Sequence, residues 1–275
     1  MTLETQRMVH LALVWVAWAC IVARIVLTRV SPDRRVLALS RLLARRGWGF
    51  AVAALVLSLV LGPGHAGSRA LLEPQDRFVA LCAGYVLAAG RLTRESGIDE
   101  DDTLTWGVGA ILVGLAAVWG LFGAATGSER VLTPGSVLLS LSEVVLGAAV
   151  GIFVFAVLCE CLRVRNARRD LAQARRAALG EAAVTWATAT AMASLLLGGA
   201  GSLLAWGICW GWDPVELWRL ALVLLYAALG HGTTERASNA GRGVVCLLAV
   251  GFSVFVLLGS PLLVRWMELP SRFVG

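Results

Sequence analysis

The feature that most constrains this chain is a series of long apolar runs, separated by short segments rich in arginine or turn-forming residues. Hydrophobic residues make up 58% of the sequence and charged residues 15%, a balance that ordinary soluble domains do not show. A helix needs about 20 mainly apolar residues to cross a bilayer. We therefore expect an all-α transmembrane bundle of about eight spans. The runs place these spans at residues 9–28, 48–63, 77–91, 104–126, 136–159, 182–205, 217–232 and 243–259.

The positions of the basic residues predict how these spans are oriented. All 24 basic residues are arginine, and two loops are crowded with them. They are Arg29, Arg34, Arg35, Arg41, Arg45 and Arg46 in the first loop, and Arg163, Arg165, Arg168, Arg169, Arg175 and Arg176 in the second. The positive-inside rule places both loops in the cytoplasm, which requires the short run at 77–91 to span. Both termini and the segment Trp206–Trp218 then face outward.

The short run at 77–91 has an arginine at each end, Arg77 and Arg91. This pattern is typical of side chains that snorkel from a short span to the membrane surface, or of a helix that lies at the interface. We count the run as a span. The basic excess as a whole indicates membrane topology rather than nucleic-acid binding. The all-arginine, alanine-rich usage suggests the coding bias of a GC-rich bacterial genome, and the apolar runs indicate a multi-pass membrane protein. We expect a location in the bacterial plasma membrane, with the tryptophan-rich segment on its outer face.

The segment Trp206–Trp218 reads WGICWGWDPVELW and lies between two apolar runs. Tryptophan gathers at membrane interfaces in proteins of every function, so an aromatic belt is one interpretation. The alternative is a binding turn, because Trp206, Trp210 and Trp212 precede a helix start and are able to form a shelf for a flat apolar ligand. Gly207 and Gly211 would let the backbone approach that ligand.

The helix that follows this turn carries a recognisable start signal. Asp213 occupies the position of an N-cap, and Pro214 is favoured at the first helical position. Glu216 places a second carboxylate near the positive end of the helix. We expect Asp213 and Glu216 to shape the turn through these caps.

This segment resembles the WGxxWxWDPxExW signature of the WWD-domain haem-handling membrane proteins of cytochrome c-type biogenesis. The likeness covers about residues 134–260 and is strong only at the motif, so we divide the chain into residues 1–130, with no recognisable match, and residues 131–275, a cytochrome c assembly region. The resemblance implies a protein that binds haem on its outward face. The implied haem-binding loop consists of Trp206, Gly207, Trp210, Gly211, Trp212, Asp213, Pro214, Glu216 and Trp218.

The resemblance also implies partners, namely apocytochrome c, other cytochrome c biogenesis subunits and the lipid bilayer. It leaves the role open between haem delivery, without catalysis by this chain itself, and membership of a cytochrome c synthetase complex. A second interpretation is a scaffold subunit of a maturation complex that has lost haem ligation. A small-solute transporter ranks last, because no broken helices in two matching halves mark a substrate path.

The histidines depart from the family pattern. Relatives usually supply two outward histidines as axial haem ligands, one on each side of the motif, but this chain has only His10, His65 and His231. Topology places His231 on the cytoplasmic side. Haem iron needs a donor such as histidine, methionine or cysteine. The candidate axial ligands are therefore His65, His10 and Met267. Cys209, within the motif, is expected to be a packing residue.

Charged residues within the predicted spans are the remaining candidates, because charge in a lipid environment is costly and often functional. Glu143 lies near the position of the first family histidine, and the alternatives are a role near a ligand or a hydrogen bond to Ser140 or Ser142. Arg219 is expected either to pair with Glu216, three residues before it, or to contact a haem propionate.

Overall fold

The computed structural model describes residues 3–30, 74–95, 107–115, 136–165, 170–231 and 239–267, together with isolated residues between 39 and 53. Within these ranges the chain is helical and has no strand, which confirms the predicted all-α class. The helices are α1 (Leu3–Val30), α2 (Pro74–Glu95), α3 (Ser136–Arg165), α4 (Asp170–Trp206), α5 (Pro214–Gly230), α6 (Asn239–Val254) and α7 (Ser260–Trp266), with a π-helical turn (Phe255–Gly259) between α6 and α7. Residues 107–115 are also helical.

Within the described ranges, two stretches of helix are long and apolar enough to cross a membrane, Val137–Arg163 in α3 and Arg176–Trp206 in α4. Shorter apolar stretches lie in α1, α2 and the segment from α6 into the π turn. Exposed leucines on these helices, such as Leu196 and Leu248, are suited to contact with lipid. The expected number of about eight spans and the outward termini stay predictions, and most of the span expected at 48–63 lies outside the described residues.

One hydrophobic core joins the helices before and after residue 130. At its centre Phe153 stacks on Tyr226, with ring centroids 4.2 Å apart, and Tyr85 meets Phe155 edge to face at 6.0 Å. The buried Tyr226 hydroxyl donates a hydrogen bond to Ser253 at 2.9 Å, which satisfies its polar end inside the bundle. The two regions into which the sequence was divided therefore pack as neighbours in one core.

Helices α2 and α3 approach each other so closely that their backbones touch. A Cβ atom added to Gly151 would lie 1.9 Å from the Leu81 carbonyl oxygen, and one added to Gly84 would lie 2.2 Å from that of Ala148. Gly147 and Gly151 are one turn apart on α3, the spacing that permits tight packing of membrane helices. This glycine seam fixes α2 directly against α3.

The π turn lies less than one helical turn before a proline, Pro261. The Ser260 N–H donates to the Phe255 carbonyl, five residues back. Pro261 has no N–H to donate to the carbonyl of Leu257 four residues earlier. Side chains take over instead: Ser260 Oγ donates to the Val256 carbonyl at 2.8 Å, and Arg77 Nη1 donates to that of Leu257 at 3.2 Å. Helical structure thus continues to Trp266, beyond the end predicted at residue 259.

Candidate functional site

The tryptophan loop, residues 206–213, connects α4 to α5 and ends in a complete capping box. Asp213 is the N-cap, and its Oδ1 accepts a hydrogen bond from the Val215 N–H at 2.9 Å. Glu216 reaches back, with its Oε2 accepting from the N–H groups of Gly211 at 3.0 Å and Asp213 at 3.3 Å. The helix start predicted from Asp213, Pro214 and Glu216 is therefore confirmed. These bonds tie the second half of the loop to the first turn of α5.

Two residues of the tryptophan loop have left-handed backbone geometry. Gly207 has φ +73 and ends α4, where its N–H bonds to the Leu203 carbonyl at 2.9 Å. Trp212 has φ 54 and is the one non-glycine residue with positive φ in the described ranges. A bulky side chain seldom adopts this conformation, which costs about 1–3 kcal/mol and persists where the surroundings enforce it. The hydrogen bonds of Gly211 and Asp213 to Glu216 supply that constraint on either side.

The indole rings of the loop are accessible. Trp212 is 70% exposed and Trp206 37% exposed, while Trp210 is half-buried. Trp210 and Trp212 meet edge to face, with centroids 6.0 Å apart and an angle of 88° between the rings. The two rings consequently form a corner rather than one continuous flat shelf. Such a corner offers one face and one edge to an aromatic group.

Trp218 has a different environment from the other tryptophans of the motif. It lies on α5 and packs edge to face on Phe255, at 5.2 Å, and against Phe252, at 6.0 Å. Trp218 was predicted to belong to the haem-binding loop. Its ring contributes to the packing between α5 and the end of α6. The sequence position of Trp218 indicated this environment, because Trp218 is five residues beyond the N-cap and already on the second turn of the helix.

Below the loop, three charged side chains form a buried ion cluster, Arg77, Glu143 and Arg219. Glu143 Oε2 lies 3.2 Å from Arg77 Nε, and Glu143 Oε1 accepts a hydrogen bond from Arg219 Nη2. Glu143 is 2% exposed and Arg219 4% exposed, so the cluster lies inside the bundle. It links α2, α3 and α5.

This cluster corrects several expectations from the sequence. Arg77, expected to snorkel to the membrane surface, is buried and points to Glu143 because the glycine seam holds α2 against α3. Glu143 contacts Arg77 and Arg219, and Ser142, one of the two serines considered for it, donates its Oγ hydrogen bond to the Leu139 carbonyl at 2.8 Å. Arg219 has Glu143 as a partner, 76 residues away in the chain. The sequence contained one indication of this cluster, the presence of opposite charges within apolar runs, because such charges usually pair.

The tryptophan loop defines one end of the bundle, here called the loop end. Leu139 of α3, Val215 of α5 and Val264 of α7 pack together there, with Ala205 beside them. Met267 follows Val264 by three residues, so it also lies at the loop end, and it is 52% exposed. Of the other candidate axial ligands, His65 and the side chain of His10 lie outside the described residues.

Cys209 lies within the tryptophan loop as a free, exposed thiol. Its Sγ packs near α4, because a Cβ atom added to Gly199 would lie 3.2 Å from it. Across the described part of the chain, no three histidine, cysteine or carboxylate side chains gather as a metal site. The residues at the loop end therefore fit a flat apolar group, with Met267 and Cys209 as the described donors nearby.

The opposite end of the bundle contains a cavity of about 720 Å³. Phe153 and Val157 contribute to its apolar wall, and its polar lining includes Glu181 and His231. Glu160 and Arg163, one turn apart on α3, form an ion pair at its edge, with Nε 2.8 Å from Oε2. His231 is thus separated from the tryptophan loop by the length of α5. Its placement on the cytoplasmic side stays a prediction.

Comparison with known proteins gives a consistent result. The family model described as cytochrome C assembly protein matches residues 130–269. The cytochrome c biogenesis protein CcsA of Thermosynechococcus vestitus is 46% identical over 50 residues, 18% of this chain and 15% of that protein. The protein of the same name from Nostoc punctiforme is 40% identical over 60 residues, 22% of this chain and 17% of that protein.

These curated relatives are matched along only a small part of their length. A third, CcsA of Synechococcus elongatus, is 44% identical over 50 residues, which again cover 18% of this chain and 15% of the relative. The family model covers much more, since its match runs over 130–269 and includes the tryptophan loop, the capping box, Glu143 and Arg219. With just over half of its residues matched by that model, this chain belongs to the cytochrome c assembly protein family.

Proposed function

We propose that this chain is a membrane component of cytochrome c maturation that binds haem against the tryptophan loop. The observation that carries the proposal is the exposed, edge-to-face corner of Trp210 and Trp212 on a loop fixed by a capping box. Exposed aromatic rings on a rigid turn suit a flat, apolar ligand, because little conformational freedom is lost when it binds. The names of the relatives, cytochrome c biogenesis proteins, support haem as that ligand.

In this proposal each part of the loop has a separate role. The rings of Trp206 and Trp212 contact the porphyrin, and Trp210 supports Trp212 from the side. Asp213 and Glu216 hold the backbone of the turn through their hydrogen bonds. Arg219 is buried and bonded to Glu143, so we leave a contact with a haem propionate out of the proposal. Haem would be cargo here, supplied to an apocytochrome as the group to be attached.

The proposed setting follows from the same features. The loop would face outward from a bacterial plasma membrane, where apocytochrome c and other biogenesis subunits are the partners. The two long apolar helices, α3 and α4, support insertion into a bilayer. Among the described candidate donors to the iron, Met267 is the best placed, because it is exposed at the loop end.

A second candidate function is a scaffold subunit that does not ligate haem. The observation that favours it is the position of His231, which lines the cavity at the opposite end of the bundle from the loop. Such a subunit would fold and join a maturation complex but would not change the absorption spectrum of added hemin.

The experiment is a hemin titration of the full chain in detergent, followed by the Soret band. We expect Trp212→Ala to weaken hemin binding by about tenfold, since loss of one well-packed ring contact costs about 1.4 kcal/mol. The matched control is Trp186→Ala, which removes a 49% exposed tryptophan from α4 beside the opposite-end cavity and should leave binding unchanged.

Two outcomes would contradict haem binding at the loop. One is a folded wild-type chain whose addition leaves the hemin spectrum unchanged, the result expected of a scaffold subunit. The other is equal hemin affinity for Trp212→Ala and the wild type, which would place haem elsewhere on the chain.

A further inference from the structure

The ion cluster of Arg77, Glu143 and Arg219 joins more of the bundle than a single ion pair does. Arg77 belongs to α2, which precedes the region matched by the family model, whereas Glu143 and Arg219 lie within that region. The second bond of Arg77, to the Leu257 carbonyl, adds the π turn. One guanidinium from outside the family region thus contacts two elements inside it.

The bond to Leu257 has a clear physical basis. Because Pro261 lacks an N–H, the Leu257 carbonyl has no donor at the usual helical spacing. Arg77 Nη1 supplies one at 3.2 Å while its Nε lies 3.2 Å from Glu143. The planar guanidinium presents several donors in fixed directions, so a single side chain is able to serve both partners at once.

The ion cluster lies directly beneath the tryptophan loop. Arg219 is six residues after Asp213, a distance of about 9 Å along α5. Arg219 Nη1 is also 3.5 Å from Ser142 Oγ, and a Cβ atom added to Gly198 of α4 would lie 3.6 Å from it. Of the two helices that flank the loop, α5 therefore carries a member of the cluster and α4 passes close to it at Gly198.

Burial of three charges is an inefficient way to gain stability, because desolvation consumes most of the attraction between them. Apolar side chains of similar size would pack at least as well in such a place. The cluster combines one ion pair, between Arg77 and Glu143, with two hydrogen bonds, from Arg219 to Glu143 and from Arg77 to the Leu257 carbonyl. The hydrogen bonds fix directions as well as distances, so the cluster provides a defined arrangement. The question is which arrangement is being fixed.

We propose that Arg77 is a positioning residue for the tryptophan loop, acting through Glu143 and Arg219. The inference rests on the proposed function, because the loop is its haem-contacting element. Arg77 holds Glu143, Glu143 holds Arg219 on the first turns of α5, and α5 sets the direction in which the capping box holds Trp212. The region before residue 130 thereby determines the geometry of a loop that belongs to the family region.

The test compares Arg77→Met with Arg163→Met. Both remove an arginine that pairs with a glutamate of α3, but Arg163 lies at the opposite end of the bundle. For Arg77→Met we expect hemin affinity to fall by about tenfold, the lower range for a residue that orients a ligand-contacting group. Labelling of Cys209 by a polar maleimide should become severalfold faster, because its thiol then loses its fixed position against α4. Arg163→Met should change neither.

The labelling of Cys209, quantified by peptide mass spectrometry, separates this inference from haem binding. If the wild type fails to bind hemin but Arg77→Met still accelerates labelling, the positioning role stands and the proposed function fails. If hemin binds but Arg77→Met, folded by circular dichroism, matches the wild type in both measurements, the positioning role is wrong.

If Arg77→Met does not fold, the same measurements are made on Arg77→Lys. Lysine keeps the positive charge beside Glu143 but lacks the planar fork that reaches Leu257 as well. We expect normal helical content with a loss of hemin affinity and a gain in Cys209 labelling, each smaller than for methionine. Unchanged values for a folded Arg77→Lys protein, together with an unfolded Arg77→Met protein, would assign Arg77 to stability alone.

Discussion

Helix α3 carries two glutamates that each pair with arginine, and the two pairs have little else in common. Glu143, at the loop end, has a side chain that is 2% exposed and binds arginines from two other helices. Glu160, at the opposite end, is 21% exposed and binds Arg163 of its own helix, one turn away. The first pairing holds separate helices together, whereas the second only links neighbours that the helix already places side by side.

The same contrast extends to the surfaces at the two ends. The loop end presents indole rings on a turn fixed by backbone hydrogen bonds, above buried charge. The opposite end encloses a cavity of about 720 Å³ with charged groups at its edge. The turn at the loop end is held by its own bonds to Asp213 and Glu216 and lies above helices joined by buried charges, whereas the opposite end has a partly exposed ion pair within one helix.

The largest expected effect is that of Glu143→Gln. This change leaves two buried guanidinium groups without their carboxylate, which should lower the free energy of unfolding by about 3–5 kcal/mol. Glu160→Gln, the matched control, should change it by less than about 1 kcal/mol, because that pair is partly exposed. Unfolding by SDS titration of the detergent-solubilised protein, followed by circular dichroism, measures both. Equal effects of the two substitutions would remove the distinction between the two ends.

The next effect concerns the seam that brings Arg77 into place. Gly151→Ala forces a Cβ atom into the Leu81 carbonyl, and we expect a loss of about 2 kcal/mol in the free energy of unfolding. Gly251→Ala is the control, because nothing lies within 4 Å of the added atom. It should stabilise α6 by up to about 1 kcal/mol through helix propensity. Thermal unfolding in the same detergent gives the sign of each change.

If Gly151→Ala proved neutral, α2 would not be fixed against α3 by this contact. The geometry of the loop end would then depend less on the region before residue 130 than the glycine seam indicates.

The smallest effect tests the loop itself. Asp213→Ala removes the side-chain cap of α5 and should cost about 1 kcal/mol. Thr185→Ala, on α4 beside the cavity, removes only a bond to the Glu181 carbonyl in an exposed helix interior and should be neutral or slightly stabilising. Hydrogen exchange at the Val215 amide should also rise in Asp213→Ala. Unchanged exchange at this amide would show that the cap contributes little to the rigidity of the loop.

What the sequence predicted well was local. The N-cap at Asp213 and the helix start at Pro214 were identified from neighbouring residues alone, and the structure adds that Glu216 completes a capping box with Asp213. The helices follow from apolar runs of sufficient length, and the described ranges confirm helical structure within most of the predicted spans. The family resemblance was readable because its signature is a continuous stretch, from Trp206 to Trp218.

What the sequence did not predict depends on helices meeting in space. Arg77 and Glu143 are 66 positions apart, and their contact exists because glycines allow α2 and α3 to touch. For Arg219 the sequence suggested Glu216 or a haem propionate, and it did not point to Glu143, a partner on another helix. Trp218 matched the motif by position, yet the turn of α5 directs its ring toward Phe255. No pattern within a single run carries this information.

The π turn between α6 and α7 accommodates an additional residue without reorienting what it joins. Phe252 precedes the π turn and packs against Trp218, and Val264 follows the turn and packs against Val215. Both flanking segments therefore face α5. The helices therefore keep one continuous packing surface toward α5 although the ladder of backbone hydrogen bonds is interrupted, and a side chain from α2 supplies a donor where Pro261 has none.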